Sequence, residues 1–201
     1  MKKLALVLLA GFSYATAANA QSFALGLKAG ANIANVNGSG VSGTSSLVNF
    51  NGGVYAKIGF GGGLALQPEL VYSGQGFKED DNGTTGTQHQ NYFNIPVLLK
   101  YTHPTGLFIE TGPQLGFLMS AKASESGVSV DDKSSFNSTD FSWVVGVGVK
   151  IPTTPVSVDL RYNFGLSNIV NDNNSGSSSE SVHNGCFQIG VMVRLFSIAE
   201  K

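Results

Sequence analysis

Charge is what this chain has least of. Asp, Glu, Lys and Arg make up 12% of its 201 residues, where an ordinary soluble domain carries ~25%, so a globule wetted on every side is a poor fit. Cysteine is nearly absent: Cys186 is the only one, which leaves no intramolecular disulfide to form. It also stands too far from the N-terminus to serve as a lipid-anchored residue. Beyond residue 20 there is no long apolar run, and a membrane-crossing helix needs ~18 or more such residues. A basic excess is missing too, with 12 Lys and Arg against 13 Asp and Glu, so nucleic acid, which calls for a basic patch, is not an expected partner.

What is present begins with a leader. Lys2 and Lys3, an apolar run from Leu4 to Phe12 and the small-residue pattern Ala18-Asn19-Ala20 form the three parts of a secretory signal. Residues 1–20 are therefore expected to be removed, leaving one domain over 21–201. Loss of Lys2 and Lys3 turns 12 basic and 13 acidic residues into 10 and 13, a net charge of −3.

The remaining chain is built of alternating segments. Phe93, Ile95, Val97, Leu99 and Tyr101 share one parity, and Tyr92, Asn94, Pro96, Leu98 and Lys100 the other. After a turn over Thr102–Thr105, Leu107, Ile109, Leu115 and Phe117 oppose Phe108, Glu110, Gln114 and Gly116. Period-two alternation marks strands with two different surroundings. The same pattern recurs over 23–33, 50–60, 63–77, 140–151, 156–169 and 186–196, giving eight strands. Gly61-Gly62 and Pro152–Pro155 read as tight turns, while Gly-, Ser- and Asn-rich stretches over 34–49, 78–90, 122–139 and 170–184 read as loops. Each strand reaches the ~9–11 residues that a tilted membrane strand needs.

Short connections on one end and long ones on the other are the pattern of an eight-stranded antiparallel up-and-down transmembrane β-barrel, with short periplasmic turns and long extracellular loops. Alternation alone does not fix which face is inside, since a barrel in water buries its apolar face. Composition does. One face is nearly unbroken Phe, Leu, Ile and Val, with Tyr72, Tyr101, Trp143 and Tyr162 as candidates for interfacial girdles. The other is Gly, Ala, Ser, Asn and Gln with a few charges, which suits the narrow interior of eight strands. Pro96 and Pro113 lie within strands that have no free edge, so each predicts a bulge or bend.

The charges on the polar face repeat. Strands descending to the short turns end in a base, at Lys57, Lys100, Lys150 and Arg194. Ascending strands answer with an acid, at Glu69, Glu110 and Asp159, and Lys28 and Arg161 share that face. Hairpin geometry predicts each acid about one inward row above the preceding base, in reach of a diagonal pair. These nine residues are the candidate site. They fill the lumen with ion pairs, because buried charges need partners, or they ring a constriction that selects ions or small solutes.

Gly26–Asn32 (GLKAGAN), Leu66–Leu70 (LQPEL), Asn94–Tyr101 (NIPVLLKY) and Glu110–Pro113 (ETGP) together resemble the PorT-like outer-membrane β-barrel family of the Bacteroidetes. The resemblance covers about residues 22–196 and implies an eight-stranded barrel in the outer membrane of a Gram-negative bacterium. It implies no activity, because fold does not carry function. Members of such families often end on an aromatic residue, whereas Phe196 here is followed by five more residues.

Catalytic and metal signals are weak. The lipid-facing parity holds no His, Asp or Glu, and His89, His103 and His183 fall in loops or turns, so a lipid-modifying enzyme lacks a base beside a nucleophile. Asp172–Gly176 (DNNSG) lacks the spacing of a calcium loop. The Gly/Ser run over 38–46 lacks the Gly-Lys-[ST] ending of a phosphate loop. No cofactor, metal or catalytic residue is expected. The expected partners are outer-membrane lipids, lipopolysaccharide and an extracellular ligand or protein met by the four loops; a narrow pore is the second reading and an enzyme the third.

Overall fold

The computed structural model describes residues 22–38, 44–81, 84–125, 128–170 and 182–199. The expected leader over 1–20 and the segment Asp172–Gly176 lie outside the described residues. Strands β1 (Ser22–Gly38), β2 (Thr44–Gly61), β3 (Leu64–Asp81), β4 (Thr84–Thr102) and β5 (Leu107–Glu125) follow one another as antiparallel neighbours. Then come β6 (Val128–Asp131), a 3-10 turn over Lys133–Ser135, β7 (Thr139–Lys150), β8 (Val156–Gly165) and β9 (Val182–Ala199). β5 pairs with β7, β7 with β8, β8 with β9, and β9 with β1, which closes the ring. β6 pairs with β5 beyond the end of β7. The two therefore occupy one of eight positions in succession, and the fold is an eight-position antiparallel barrel.

Alternation puts the large apolar residues outside. Leu27, Val54, Leu70, Leu99, Ile109, Val147, Leu160 and Ile189 are exposed, while their neighbours Lys28, Tyr55, Glu69, Lys100, Glu110 and Asp159 are buried. An outward apolar band is what lipid requires, and a closed ring leaves no unpaired edge in it. Aromatic residues stand side by side near the far end from the short turns: Tyr72 beside Phe93 and Phe93 beside Phe117, then Trp143 beside Phe164 and Tyr162 beside Phe187. Phe50 stacks on Tyr72 at 5.2 Å. Tyr101 lies instead near the short turns, opposite Leu64 and Ile109.

Two expectations need correction. The stretches over 34–49, 78–90, 122–139 and 170–184 are not simply loops: pairing runs on to Gly38↔Val182, Asp81↔Thr84 and Glu125↔Val128. β1 to β5 are 17 to 19 residues long. Backbone groups need partners whatever the side chains, and two polar chains already in register can keep supplying them. Of the bulge or bend expected at Pro96 and Pro113, the bulge is absent. Pairing passes from Pro96↔Gln114 to Leu99↔Thr111 in unchanged register, so the ladder is interrupted beside the prolines while the flanking rungs hold alignment. The register irregularities are elsewhere: between Ser46 and Asn51 and between Gly59 and Gly61, between Asn91 and Tyr92, and opposite Leu25/Gly26, where Leu195 is the extra residue. That bulge leaves Arg194 opposite Gly26 and sets Phe196 and Ile198 beside Leu25 and Phe23.

Candidate functional site: the buried charge layer of the lumen

Arg161 of β8 is the hub of the lumen. Its two terminal nitrogens donate to Glu69 of β3 at 2.8 and 2.7 Å, the forked geometry in which guanidinium and carboxylate match best. Its Nε donates to Glu110 of β5 and lies 2.9 Å from Asp159 Oδ2. The same Asp159 oxygen accepts from Lys28 Nζ of β1 at 2.9 Å, and Lys100 Nζ of β4 sits 3.1 Å from Glu110 Oε2. Three bases and three acids, all buried, thus sum to zero charge and tie five strands together across the interior.

Local sequence makes room for this. Gly146 of β7 stands opposite both Glu110 and Arg161, and a Cβ there would lie 2.9 Å from Arg161 Cγ and 3.1 Å from Glu110 Cγ. Gln67 Nε2 donates to Glu69 Oε1 at 2.7 Å, so the carboxylate that takes the fork is oriented from its own strand as well. Below the layer Tyr55, Phe108 and Met192 form an apolar cluster, with Lys100 Nζ 3.5 Å above the Phe108 ring, a cation–π contact.

The nine candidate residues divide into two groups. Lys28, Glu69, Lys100, Glu110, Asp159 and Arg161 form the neutral layer. Lys57, Lys150 and Arg194 do not join it, and among the described residues no carboxylate comes within 4 Å of them. They surround a vestibule at the short-turn mouth. Row by row, Lys100 and Glu110 are directly opposite rather than diagonal. Glu69 and Asp159 do sit one row above Lys57 and Lys150, but Arg161 and Lys28 claim them.

A second layer further from the short turns was not singled out from sequence. Asn184 Nδ2 donates to Asp140 Oδ2 at 3.1 Å and to the Tyr92 hydroxyl at 3.3 Å, and Ser167 donates to Asp140 Oδ1 at 2.7 Å. Asn51 donates to Asn32, which donates to Ser73. Its signal in the sequence is the inward parity of Asn, Gln and Ser, which by itself does not say which of them meet. Above it Phe136 packs against Tyr92, Leu118 and Ala121, and Asp132 accepts from Gln88 and Ser135, folding the β6 segment over the lumen. His89 and His183 lie on β4 and β9 rather than in loops, because the strands run further than expected; His103 keeps its turn and contacts Thr105. Among the described residues no group of His, Cys, Asp and Glu is disposed to hold a metal ion.

The chain is similar to several solved structures. Neisserial surface protein A is 17% identical, with a TM-score of 0.50 over 85% of this chain and 97% of that one. Ail, the attachment invasion locus protein of Yersinia pestis, is 13% identical with a TM-score of 0.48 over 87% of this chain and 99% of that one. OprG of Pseudomonas aeruginosa is 10% identical, with a TM-score of 0.46 over 88% and 97%. No curated protein matches the chain in sequence. The family model for the outer membrane protein beta-barrel domain matches residues 19–171, and with three quarters of its length so matched the chain belongs to that family of Gram-negative outer-membrane barrels.

Proposed function

We propose that this barrel does interaction work at the cell surface, with its short turns in the periplasm and the opposite end exposed as a binding platform. The observation that carries this is the height of that end. Past the aromatic residues Tyr72 and Phe93, β3 and β4 continue together to Asp81↔Thr84, and β5 and β6 continue to Glu125↔Val128. A concavity of 570 Å³ opens among them, lined by Phe77, Gln88, Val128, Val130, Asp132 and Phe136. Apolar walls with a few placed polar groups on a rigid frame suit recognition. The partners that fit are an extracellular ligand or protein at the platform, and outer-membrane lipids and lipopolysaccharide around the apolar wall. The four motifs quoted above favour the PorT-like group of the Bacteroidetes within the family.

Orientation is tested by labelling. Cys186 is buried and gives little background. Ser129→Cys should react with a membrane-impermeant maleimide on intact cells, and Thr153→Cys only after permeabilisation; the reverse overturns the orientation. Function is tested by comparing cells carrying the barrel with cells carrying a Val128→Ser, Val130→Ser, Phe136→Ser variant on immobilised glycans and proteins. Equal adherence by both and by cells without the barrel would sink the reading. The basic short-turn mouth favours a pore as second reading, and unitary conductance in planar bilayers that is lost with Lys100→Ala would establish it.

A further inference from the structure

The vestibule at the short-turn mouth has a composition unlike the rest of the lumen. Lys57, Lys100, Lys150 and Arg194 line it, together with Ser22, Thr102, Ser157 and Ser197 and a floor of Tyr55, Phe108 and Met192. No acid lines it. Its cavity volume is 170 Å³, far above the ~15 Å³ that one water requires. Lys100, the deepest of the bases, is matched by Glu110, so among the described residues the positive charges of Lys57, Lys150 and Arg194 are left without a carboxylate within 4 Å. Like charges gathered without partners cost free energy, and an anion brought among them recovers it.

Two further observations narrow what the vestibule takes. Thr102 lines the wall, and its hydroxyl oxygen is buried with no hydrogen-bond partner among the described residues, so a small turn of its side chain would offer a neutral donor at no loss of an existing bond. The floor is apolar, with Tyr55, Phe108 and Met192 packed against one another and Lys100 over the Phe108 ring, so an anion entering from the mouth finds its polar partners in the walls. A single carboxylate has two oxygens and one charge. Three uncompensated bases around several hydroxyl donors instead match an anion with more oxygens and more charge. Phosphate groups supply both, carrying about −1.5 to −2 each near neutrality, and Arg adds bidentate geometry toward them.

We infer that the short-turn vestibule is a binding site for a phosphate-bearing anion, held by Lys57, Lys150 and Arg194 with Thr102 as a neutral donor. The phosphate comes either from a small soluble anion or from the headgroup of a lipid at the mouth. The full chain, folded in a maltoside detergent, is titrated with pyrophosphate by calorimetry at constant ionic strength. In parallel, phosphatidic acid retained by the barrel is counted by native mass spectrometry. Saturable pyrophosphate binding weakened at least tenfold in Lys57→Gln, Arg194→Gln identifies the soluble source. Absent pyrophosphate binding, with phosphatidic acid retained by the parent and lost from the variant, identifies the headgroup.

Binding of neither probe, equal binding by parent and variant, or sulfate competing as well as pyrophosphate would overturn the assignment. Heat-dependent gel mobility shows whether the double variant folds. Should it not, Arg194→Gln alone, an exposed residue, is expected to weaken binding several-fold, and no change overturns the site equally well.

Discussion

Six bases among the described residues point into this barrel, and they fall into two sets of three that behave oppositely. Lys28, Lys100 and Arg161 are buried in a layer with three carboxylates. Lys57, Lys150 and Arg194, only a row or two nearer the short turns, have no carboxylate within 4 Å among the described residues. Residue type does not separate the sets, since each holds two lysines and one arginine. Position does: the first set lies where side chains from opposite walls reach one another, the second where the barrel opens to water. A base that cannot reach water must have an acid, whereas one at the mouth can be solvated and remain available. The comparison teaches that one inward face carries both a structural and a solvent-facing population of charge.

The largest effect should come from removing the hub. Arg161→Met leaves Glu69, Glu110 and Asp159 with only Lys28 and Lys100, so buried negative charge is no longer cancelled. Breaking a buried pair by one partner costs ~3–5 kcal/mol, and the urea midpoint of the folded barrel should fall accordingly. Arg194→Met should change it little, since nothing buried loses a partner. Equal midpoints for the two variants would erase the distinction between the sets.

A smaller effect tests the layer by shape alone. Gly190 of β9 stands opposite Asp159, and a Cβ there would lie 2.2 Å from Asp159 Oδ1 and 2.9 Å from Lys28 Cε. Gly190→Ala therefore forces apart the Lys28–Asp159 pair with no change of charge. A loss of ~1–3 kcal/mol is expected, as for other overpacked interiors. On the outer wall Gly52→Ala meets only Lys28 O at 3.7 Å and should be neutral or stabilising by up to ~1 kcal/mol, because glycine is the costlier residue in a strand. Thermal midpoints of the two variants in the same detergent check both signs.

How far sequence carries is visible in these residues. The outward parity of Leu99, Ile109 and Val147 is local, set by the chain's own alternation, and it led directly to strands and a barrel. The inward parity of all six bases is equally local. Which acid each base meets is not, because Glu69 and Arg161 are 92 positions apart and β3 and β8 are not neighbours in the ring. Hairpin reasoning sees only the adjacent strand, so it offered Lys57 to Glu69 and Lys150 to Asp159. Ring closure instead brought Arg161 across the lumen to Glu69 and Lys28 of β1 to Asp159. Strand ends failed for a related reason. The rungs from Ala34 to Gly38 are held by β9, almost the length of the chain away, and no composition rule over a Gly/Ser stretch reports that.

The smallest expected effect sharpens the comparison most, because its sign is opposite to the first. Lys57 is half-buried at the mouth, and the charges that bear on it are those of Lys100, Lys150 and Arg194, all positive. Lys57→Gln removes repulsion while keeping a polar side chain, so stability should rise by ~0.5 kcal/mol at low salt. Unit charges 8 Å apart in water interact by about that much. The gain should fade as salt shortens the screening length from ~10 Å at 0.1 M to ~3 Å at 1 M. The Arg161→Met loss should persist through the same salt series, since its charges are shielded from ions by the wall. Urea midpoints of parent and both variants across the series separate the cases. A Lys57→Gln variant that is destabilised, or a gain that ignores salt, would mean Lys57 has a partner and belongs with the buried layer.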